Sequence, residues 1–206
     1  METINWKNTL FIGGTFLCAL AYKILRSKKD NMLDSSINEV LFYGAQEESK
    51  RKEIGLDNLF CIYYVIAHAS RTVDVCVPSL ESETITKCLL RVHRKDNMQV
   101  RVAVHKSNQL DNLMLLIDQG IEVKVVESTE PIEHEFILID ASENLDVGMA
   151  IIGSLDYETT RVNCNRDTTF LTSKPCVVSI LKKEFDRIWH ETPETIRRAI
   201  ELDQEE

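Results

Sequence analysis

The sequence predicts an α/β fold in which a mixed sheet is covered by helices on both faces. Apolar residues alternate with a period of two at 73–77, 100–104 and 121–125, and segments with helical apolar spacing separate these stretches. Strands that alternate with helices in this way indicate crossover units. Two uninterrupted apolar runs, 136–139 and 149–152, have only a loop between them and predict a hairpin inserted in the sheet. With 206 residues, 44% of them hydrophobic, the chain can bury the core of one domain.

The N-terminus predicts a single membrane anchor that precedes this domain. No charged residue lies between Lys7 and Lys23, and residues 9–25 would form a helix of about 25 Å, slightly shorter than a hydrocarbon layer of roughly 30 Å. Basic residues follow at 26–29, and a basic flank stays in the cytosol, so the globular part should face the cytosol. Such an anchor suits the mitochondrial outer membrane, and an endoplasmic-reticulum anchor has the same features. Residues 1–8 are then a short tip, and residues 26–38 a basic and polar linker.

A cleaved secretory signal is the alternative interpretation of the same segment. Ala19-Leu20-Ala21 resembles a small-x-small cleavage site, but a signal peptide carries its positive charge before the apolar stretch, and here the basic cluster follows it. Secretion would also convert the six cysteines into disulfides, whereas a cytosolic domain keeps them as thiols. No two of them form a C-x-x-C pair. These features favour the anchor.

The remaining elements follow the same patterns through a folded domain that we place at residues 39–190. A short apolar run at 40–43 opens this domain, and the charged stretch 47–53 predicts a loop. A Gly at 120 ends one of the helices. The other predictions are helices at 56–69, 85–92, 110–117 and 177–189, a strand at 169–171, and an acidic tail at 191–206.

The formal net charge is -9, from 24 Lys and Arg against 33 Asp and Glu. This balance argues against a protein that holds nucleic acid by bulk charge, because such proteins carry a basic face. The positions of the acidic residues in the sequence are more informative than the net charge. Residues 125–160 contain nine acidic residues and no Lys or Arg, so the whole excess lies in one window.

Within that window lies the most specific pattern of the chain, Glu133-His134-Glu135-Phe136-Ile137-Leu138-Ile139-Asp140. Gly153-Ser154-Leu155-Asp156-Tyr157 and Asn165-Arg166-Asp167 follow it. This series resembles the phospholipase D superfamily, whose motif is His-x-Lys, four residues and Asp, followed by a Gly-Ser-x-Asn turn. The closest resemblance is to the single-motif branch of mitochondrial cardiolipin hydrolase and the Zucchini endonuclease. Residues 39–43 and 184–189 resemble the opening and the closing helix of that branch.

The resemblance implies a phosphodiesterase site whose catalytic residues are replaced. In the family the motif His attacks phosphorus, a second His, from the other subunit in single-motif members, protonates the leaving oxygen, and Lys stabilises the phosphoryl charge. Here Glu133 occupies the nucleophile position and Glu135 the lysine position, whereas Asp140 is retained. In the second element Gly153 and Ser154 match, and Asp156 replaces the Asn. The motif-equivalent positions are therefore Glu133, Glu135, Asp140, Gly153, Ser154, Asp156 and Asp167.

Acid at these positions opposes phosphodiester chemistry. At an effective dielectric constant of 20, each carboxylate about 4 Å from a phosphate costs on the order of 4 kcal/mol. We therefore expect a catalytically degenerate pseudoenzyme without cofactor or metal, which acts by dimerisation or through piRNA-pathway proteins at the mitochondrial outer membrane. Its dimer partner would be a second copy or an active relative, since the family places two motifs face to face. Animal members of the branch often carry a Cys and His zinc insertion, but residues 44–60 here contain neither residue type.

The same residues allow other functions. The chain is an active phosphodiesterase on cardiolipin or single-stranded RNA if His134 acts as a substitute nucleophile, although strand alternation turns His134 away from Glu133 and Glu135. His105 and Lys106, at the end of a predicted strand, would line the same pocket. Two sets of Glu133, Glu135 and Asp140, meeting across a dimer, would offer hard oxygen ligands to a divalent cation. A generic mitochondrial tether is a third function.

Overall fold

The computed structural model of the chain describes residues 36–44, 47–105, 110–126, 132–141, 148–153 and 167–192. The described residues from Ile37 onwards belong to one compact unit. The strands are β1 (Asn38–Tyr43), β2 (Thr72–Val77), β3 (Gln99–His105), β4 (Glu122–Val126), β5 (Phe136–Ile139), β6 (Met149–Gly153) and β7 (Asp167–Thr172). The helices are α1 (Glu48–Ala67), α2 (Glu83–His93), α3 (Leu110–Asp118) and α4 (Pro175–Glu191).

All seven strands form one mixed sheet in the order β1-β7-β6-β5-β2-β3-β4. The strands β2, β3 and β4 are parallel, because the helices α2 and α3 return the chain to the same end of the sheet. The remaining pairs are antiparallel, and β5 and β6 lie next to each other in the middle of the sheet. The predicted crossover units and the inserted hairpin are therefore confirmed.

The two faces of the sheet carry different helices. Cys76, Ala103, Phe136 and Leu138 pack with residues of α4, among them the fully buried Phe185. The alternate residues of the same strands, such as Val73, Val75 and Val102, are also buried and point to the opposite face, where α1, α2 and α3 lie. Both faces are thus covered, as the apolar pattern predicts.

One element differs from its prediction. Residues 47–53 were expected to form a charged loop, but α1 begins at Glu48 and continues to Ala67. The charged stretch is a solvent-facing first part of the helix, made of residues with high helix propensity and supported by a Glu47–Lys50 ion pair of 3.1 Å. Apolar periodicity does not detect such a segment, because it has no apolar face to bury. The other predicted helices and strands agree with the structure to within a few residues at each end.

The predicted anchor at 9–25, the tip and most of the linker lie outside the described residues, as does the tail beyond Thr192. Among the helices of the described ranges, none is long and apolar enough to cross a bilayer. The anchor at 9–25 stays a prediction.

A buried charge cluster fixes α4 on the sheet. Asp74 on β2 is fully buried and Arg101 on β3 donates to both of its carboxylate oxygens at 2.8 Å. The guanidinium of Arg101 also lies over the rings of Phe185 and Trp189, at 4.9 and 5.3 Å from their centroids. Lys124 on β4 donates to the backbone carbonyl of Trp189 at 2.7 Å. The position of α4 relative to β2, β3 and β4 is therefore set by charge as well as by apolar packing.

Candidate functional site

The motif segment leads into β5 at one end of the sheet. Because β5 runs antiparallel to β2, its start lies at the carboxyl end of β2, where Phe136 is opposite Cys76. The backbone N–H of Gly153, the last residue of β6, donates to the carbonyl of Glu135 at 2.9 Å. The structure thus places Glu133, Glu135 and Gly153 at the same end of the sheet, as the motif spacing suggests.

The side chains of the motif segment divide between the two faces. Phe136 packs against α4, and His134, two residues earlier, lies on the same side. Glu133 is exposed and Glu135 is partly buried, and alternation directs both away from α4. The imidazole therefore does not share a face with the two carboxylates at the motif positions.

His134 is instead bound to α4. Its Nε2 lies 3.1 Å from Oε1 of Glu184, and its side chain remains 52% exposed. Arg187 donates to the same carboxylate at 2.7 and 3.0 Å, and this contact holds the pKa of Glu184 below its usual range. Sequence reasoning missed Glu184 as a partner of His134, because the two residues are fifty positions apart and only the placement of α4 joins them.

Cys76 lies in the core beneath His134 and Glu184. Burial, followed by the negative charge of Glu184, raises the pKa of its thiol to about 12. A thiol in this state is a neutral core group and not a nucleophile at physiological pH. Cys76 therefore adds packing to the site and no chemistry.

Asp140, the retained motif residue, lies at the opposite end of β5. Its carboxylate accepts hydrogen bonds from the backbone N–H groups of Ser70, Arg71 and Thr72, at 2.7 to 3.1 Å, and from the Ser70 hydroxyl at 2.7 Å. The backbone of Asp140 is left-handed, with φ of 51°, a conformation that Asp tolerates better than most residues. This residue joins the end of β5 to the start of β2, which is a structural role.

Gly153 is required by its geometry. Its φ is 121°, and a Cβ placed there would lie 2.5 Å from the carbonyl oxygen of Thr168. Any side chain would therefore push β6 away from β7. Ser154, Asp156 and the neighbouring Tyr157 lie outside the described residues.

Asp167 and His105 complete the candidate positions. Asp167, at the start of β7, lies opposite Tyr43 and accepts from the backbone N–H of Thr168 at 2.7 Å. His105 ends β3 at the same sheet end as the motif segment, and its Nδ1 is buried without a hydrogen-bond partner in the described part of the chain. Lys106 lies outside the described residues.

The carboxylates proposed for a divalent cation do not meet within one copy of the chain. Glu135 precedes the strand β5 and Asp140 follows it, so the two residues are about 17 Å apart at roughly 3.3 Å per residue. The carboxylate of Asp140 is also occupied by backbone N–H donors. The residues that the structure describes contain no group of three or more His, Cys, Asp or Glu able to hold a metal ion. Within one copy of the chain Asp140 therefore does not join Glu133 and Glu135 at one cation, and a site shared across a dimer stays a prediction.

The comparison with protein families agrees with this geometry. The model of the cardiolipin synthase PLD-like domain matches residues 62–189, more than half of the chain. The chain belongs to the phospholipase-D-like (PLD-like) family. The resemblance inferred from the motif is thereby confirmed, and the matched region includes the motif segment, Gly153 and most of α4.

Relatives of this PLD-like chain carry the name mitochondrial cardiolipin hydrolase. The protein of Xenopus laevis is 27% identical over 128 residues, which cover 60% of this chain and 57% of that protein. The protein of Chlamydomonas reinhardtii is 24% identical over 129 residues, covering 60% and 54%. The human protein is 25% identical over 126 residues, covering 60% and 47%. The chain thus spans about half the length of the curated relatives that it matches.

Two solved structures share the fold of this PLD-like domain. NucT from Helicobacter pylori superimposes with a TM-score of 0.60 at 12% identity, covering 77% of this chain and 99% of that one. Nuc, a phospholipase D family member from Salmonella typhimurium, gives a TM-score of 0.59 at 12% identity, covering 77% and 97%. At this identity the likeness concerns the fold alone.

Proposed function

We propose that this PLD-like protein has lost the phosphodiester chemistry of its family and acts as an interaction protein. In this proposal it pairs with a second copy or with an active relative at the mitochondrial outer membrane, where piRNA-pathway proteins are candidate partners. The observation that carries the proposal is the acidic end of the sheet, where the backbone of Glu135 is hydrogen-bonded to Gly153 and Glu133 lies two residues before Glu135. The resembled enzymes keep a His and a Lys at the positions of the two glutamates.

Two retained motif residues that the structure describes, Asp140 and Gly153, support this proposal because both have structural roles. Asp140 holds three backbone N–H groups at the start of β2, and Gly153 occupies a backbone conformation with no room for a side chain. Glu133 and Glu135, at the positions that carry the nucleophile and the cation in the resembled enzymes, differ from the family. This division is expected of a scaffold that is kept after its reaction is lost.

Electrostatics supports the same conclusion. A phosphodiester at this edge would meet carboxylates where the family reaction needs a cation to receive negative charge in the transition state. Each such contact at about 4 Å costs on the order of 4 kcal/mol at an effective dielectric constant of 20. Two of them would weaken the binding of an anionic substrate, the partly buried Glu135 more than the exposed Glu133.

The proposed location rests on two features. Curated relatives carry the name mitochondrial cardiolipin hydrolase, and residues 9–25 form an apolar segment with a basic flank. A flank of this kind keeps the following domain in the cytosol. Fractionation of cells that express the tagged full chain, followed by protease treatment of intact mitochondria, tests this. Degradation of the domain without rupture of the outer membrane is expected, and protection would contradict the proposed topology.

Activity is tested with the full chain in mild detergent, given cardiolipin vesicles in one assay and labelled single-stranded RNA in another. The unmodified protein is expected to hydrolyse neither substrate. The double variant Glu133→His, Glu135→Lys is expected to gain measurable turnover, because it returns the nucleophile and the cation. The double variant Glu133→Gln, Glu135→Gln is the matched control, since it removes the negative charge without supplying a nucleophile, and it should remain silent.

Clear turnover by the unmodified protein that is lost in His134→Ala would refute the loss of chemistry. Thermal unfolding of each variant shows whether a variant without turnover is folded. Co-purification with an active relative that survives detergent extraction would support the interaction role.

A phosphodiesterase with a rearranged site is the second candidate, and the contact between His134 and Glu184 favours it. A carboxylate that holds an exposed imidazole is a common arrangement for an activated His. Cardiolipin or single-stranded RNA would be its substrate. The opposing fact is that His134 lies on the α4 side, away from the motif carboxylates, so the family geometry would not be used.

A further inference from the structure

The face of the sheet that α4 covers becomes exposed towards the strand β1. Phe136, Ile152, Phe170 and Val40 are opposite one another on β5, β6, β7 and β1, so their side chains share this face. Phe136 is 2% exposed, Ile152 and Phe170 are partly buried, and Val40 is 48% exposed. Phe42, two residues after Val40 and on the same side of β1, is 67% exposed. The helix α4 packs on β3, β5 and β6, so its cover ends before β1.

The helix α4 adds a third exposed apolar side chain next to this face. Ile180 is 67% exposed and precedes Trp189 by about two and a half helical turns, so the two side chains lie on opposite sides of α4. Because the ring of Trp189 contacts Lys124 on β4, Ile180 is directed away from that edge of the sheet and towards the side of β1. We call Val40, Phe42 and Ile180 the β1 patch.

The surroundings of the β1 patch are uncharged or basic, in a chain whose net charge is -9. On β1, β7 and β6 the residues of this face are Asn38, Val40, Phe42, Thr168, Phe170, Thr172, Ala150 and Ile152. Two exposed lysines border the patch, Lys174 at the start of α4 and Lys183 one turn after Ile180, and neither pairs with an acidic side chain in the described part of the chain. Exposed apolar side chains beside unpaired lysines suit the surface of an anionic bilayer.

We propose that the β1 patch lies against the surface of an anionic phospholipid bilayer, so that the domain contacts the membrane directly and is not only tethered to it. This inference rests on the proposed membrane location and adds the surface that faces the lipid. The contact uses side chains and not the backbone of β1, because the side chain of Asn58 on α1 already donates to the carbonyl of Phe42 at 2.9 Å. Removal of the exposed Phe and Ile side chains from water drives such a contact.

The position of β1 in the chain favours a bilayer as the occupant of the patch. The strand begins at Asn38, the last residue of the predicted linker 26–38, so it is the first element of the domain after the predicted anchor. A tether of about a dozen residues gives the lipid surface a high effective concentration for this element. The tail beyond Thr192 is a less suitable cover, because Thr192 is bound to Lys124 on β4, on the other side of α4.

The same contact is compatible with a dimer in which the two motif ends face each other. A two-fold axis perpendicular to the sheet reverses the strand direction and keeps the α4 faces of both copies on one side. Both β1 patches then face one bilayer, which two anchors in the same membrane require. The proposed contact therefore agrees with the proposed dimer.

Fluorescence quenching by lipid tests the contact with the full chain reconstituted in vesicles of phosphatidylcholine and phosphatidylglycerol. The background carries Cys18→Ser, Cys164→Ser and Cys176→Ser, and it keeps the buried Cys61, Cys76 and Cys88. A fluorophore is attached at Thr168→Cys, an exposed position opposite Phe42 on the same face, so the patch itself is intact. The control label is attached at Leu115→Cys, 43% exposed on α3, which packs on β4 at the far edge of the sheet. The quencher is a lipid with a spin label on its acyl chain.

We expect the label at Thr168→Cys to be quenched at least about threefold more than the control, because a surface contact buries the patch at the boundary of headgroups and acyl chains. Phe42→Ser should remove most of this difference. The matched variant Phe60→Ser, which removes a Phe 59% exposed on α1, should leave the difference unchanged. Lys174→Gln together with Lys183→Gln should reduce the quenching, as should vesicles of phosphatidylcholine alone.

Two results would overturn the proposal. Equal quenching of the two labels would show that the patch does not meet the lipid, and a blue-shifted emission at Thr168→Cys without quenching would show that protein covers it. Carbonate extraction of the same vesicles distinguishes the failure of this inference from that of the proposed location. Release of the chain would refute the membrane location, whereas a chain that stays inserted with an unquenched label would refute the patch alone.

Discussion

Arg101 holds the fully buried carboxylate of Asp74 through two parallel hydrogen bonds of 2.8 Å. The pair lies between the sheet and α4, where Lys182 and Asp186 of the helix form an ion pair beside it. The same helix supplies Glu184 to His134, so the charge cluster also positions the candidate site. The helix is consequently fixed in rotation as well as in position.

Removal of either Asp74 or Arg101 should lower the unfolding free energy more than replacement of both. Asp74→Ala leaves the guanidinium of Arg101 buried without its main partner and is expected to cost about 3–5 kcal/mol of unfolding free energy. The double variant Asp74→Val, Arg101→Met replaces the pair by apolar groups and should recover most of that loss. Urea unfolding of the three proteins measures the difference. A double variant that is as unstable as Asp74→Ala would contradict this account.

The carboxylate of Asp140 should be needed for stability and not for chemistry. Asp140→Ala removes the acceptor of three backbone N–H groups and one hydroxyl, and we expect a loss of about 2–3 kcal/mol. Asp96→Ala, which alters an exposed carboxylate in a turn, is the control and should change stability by less than about 0.5 kcal/mol. Equal stabilities for the two variants would remove the structural explanation for the retained Asp.

The parts of the fold that sequence predicted well share a physical origin. In β2 and β3 one face is a row of valines, whereas the other face carries Asp74 and Arg101, and this difference produces the period of two. The hairpin of β5 and β6 was equally clear, because strands buried on both faces appear as continuous apolar runs. Alternating and continuous apolar runs show which faces of a strand are buried, and the burial of these faces determines how the strands and helices pack.

Features that depend on the arrangement of distant elements could not be predicted in this way. The first turns of α1 have charged side chains and no apolar face, so no periodicity marks them. The apolar residues of β1 look like those of a central strand, and only the strand order reveals that Val40 lies on an edge. The partner of His134 depends on where α4 crosses the sheet, which in turn depends on the buried pair of Asp74 and Arg101.

Gly153 and Gly120 offer a matched pair of substitutions. Both have positive φ, of 121° and 87°, but a Cβ at Gly153 would lie 2.5 Å from the Thr168 carbonyl, whereas at Gly120 it would meet only the His93 ring at 3.8 Å. Gly120→Ala should therefore cost about 1–2 kcal/mol, the price of the left-handed conformation alone. Gly153→Ala should cost at least about 1 kcal/mol more, since backbone must move. Equal costs by chemical denaturation would show that the strands adjust freely.

The cysteines should divide by burial in a labelling experiment. Cys61, Cys76 and Cys88 are buried, and Cys176 is exposed. Burial raises the thiol pKa of Cys61 to about 11 and that of Cys88 to about 12, so neither supplies thiolate at neutral pH. Iodoacetamide at pH 7.5, read by peptide mass spectrometry, should modify Cys176 within minutes and the buried three only after denaturation. Rapid labelling of Cys76 in the native protein would contradict its buried position.

These raised pKa values also predict a loss of stability in mild alkali. A free thiol in the unfolded chain ionises near pH 8.5, whereas the thiol of Cys76 in the folded chain keeps its proton until the pH approaches 12. Between these values the folded state binds more protons than the unfolded state, so the unfolding free energy falls as the pH rises, by up to about 1.4 kcal/mol per pH unit for each such thiol. Urea unfolding at pH 7.5, 9 and 10 should therefore give decreasing stability. In Cys76→Ala the decrease should be smaller by one thiol's contribution, and an unchanged slope would contradict the assignment of Cys76 as a protonated core residue.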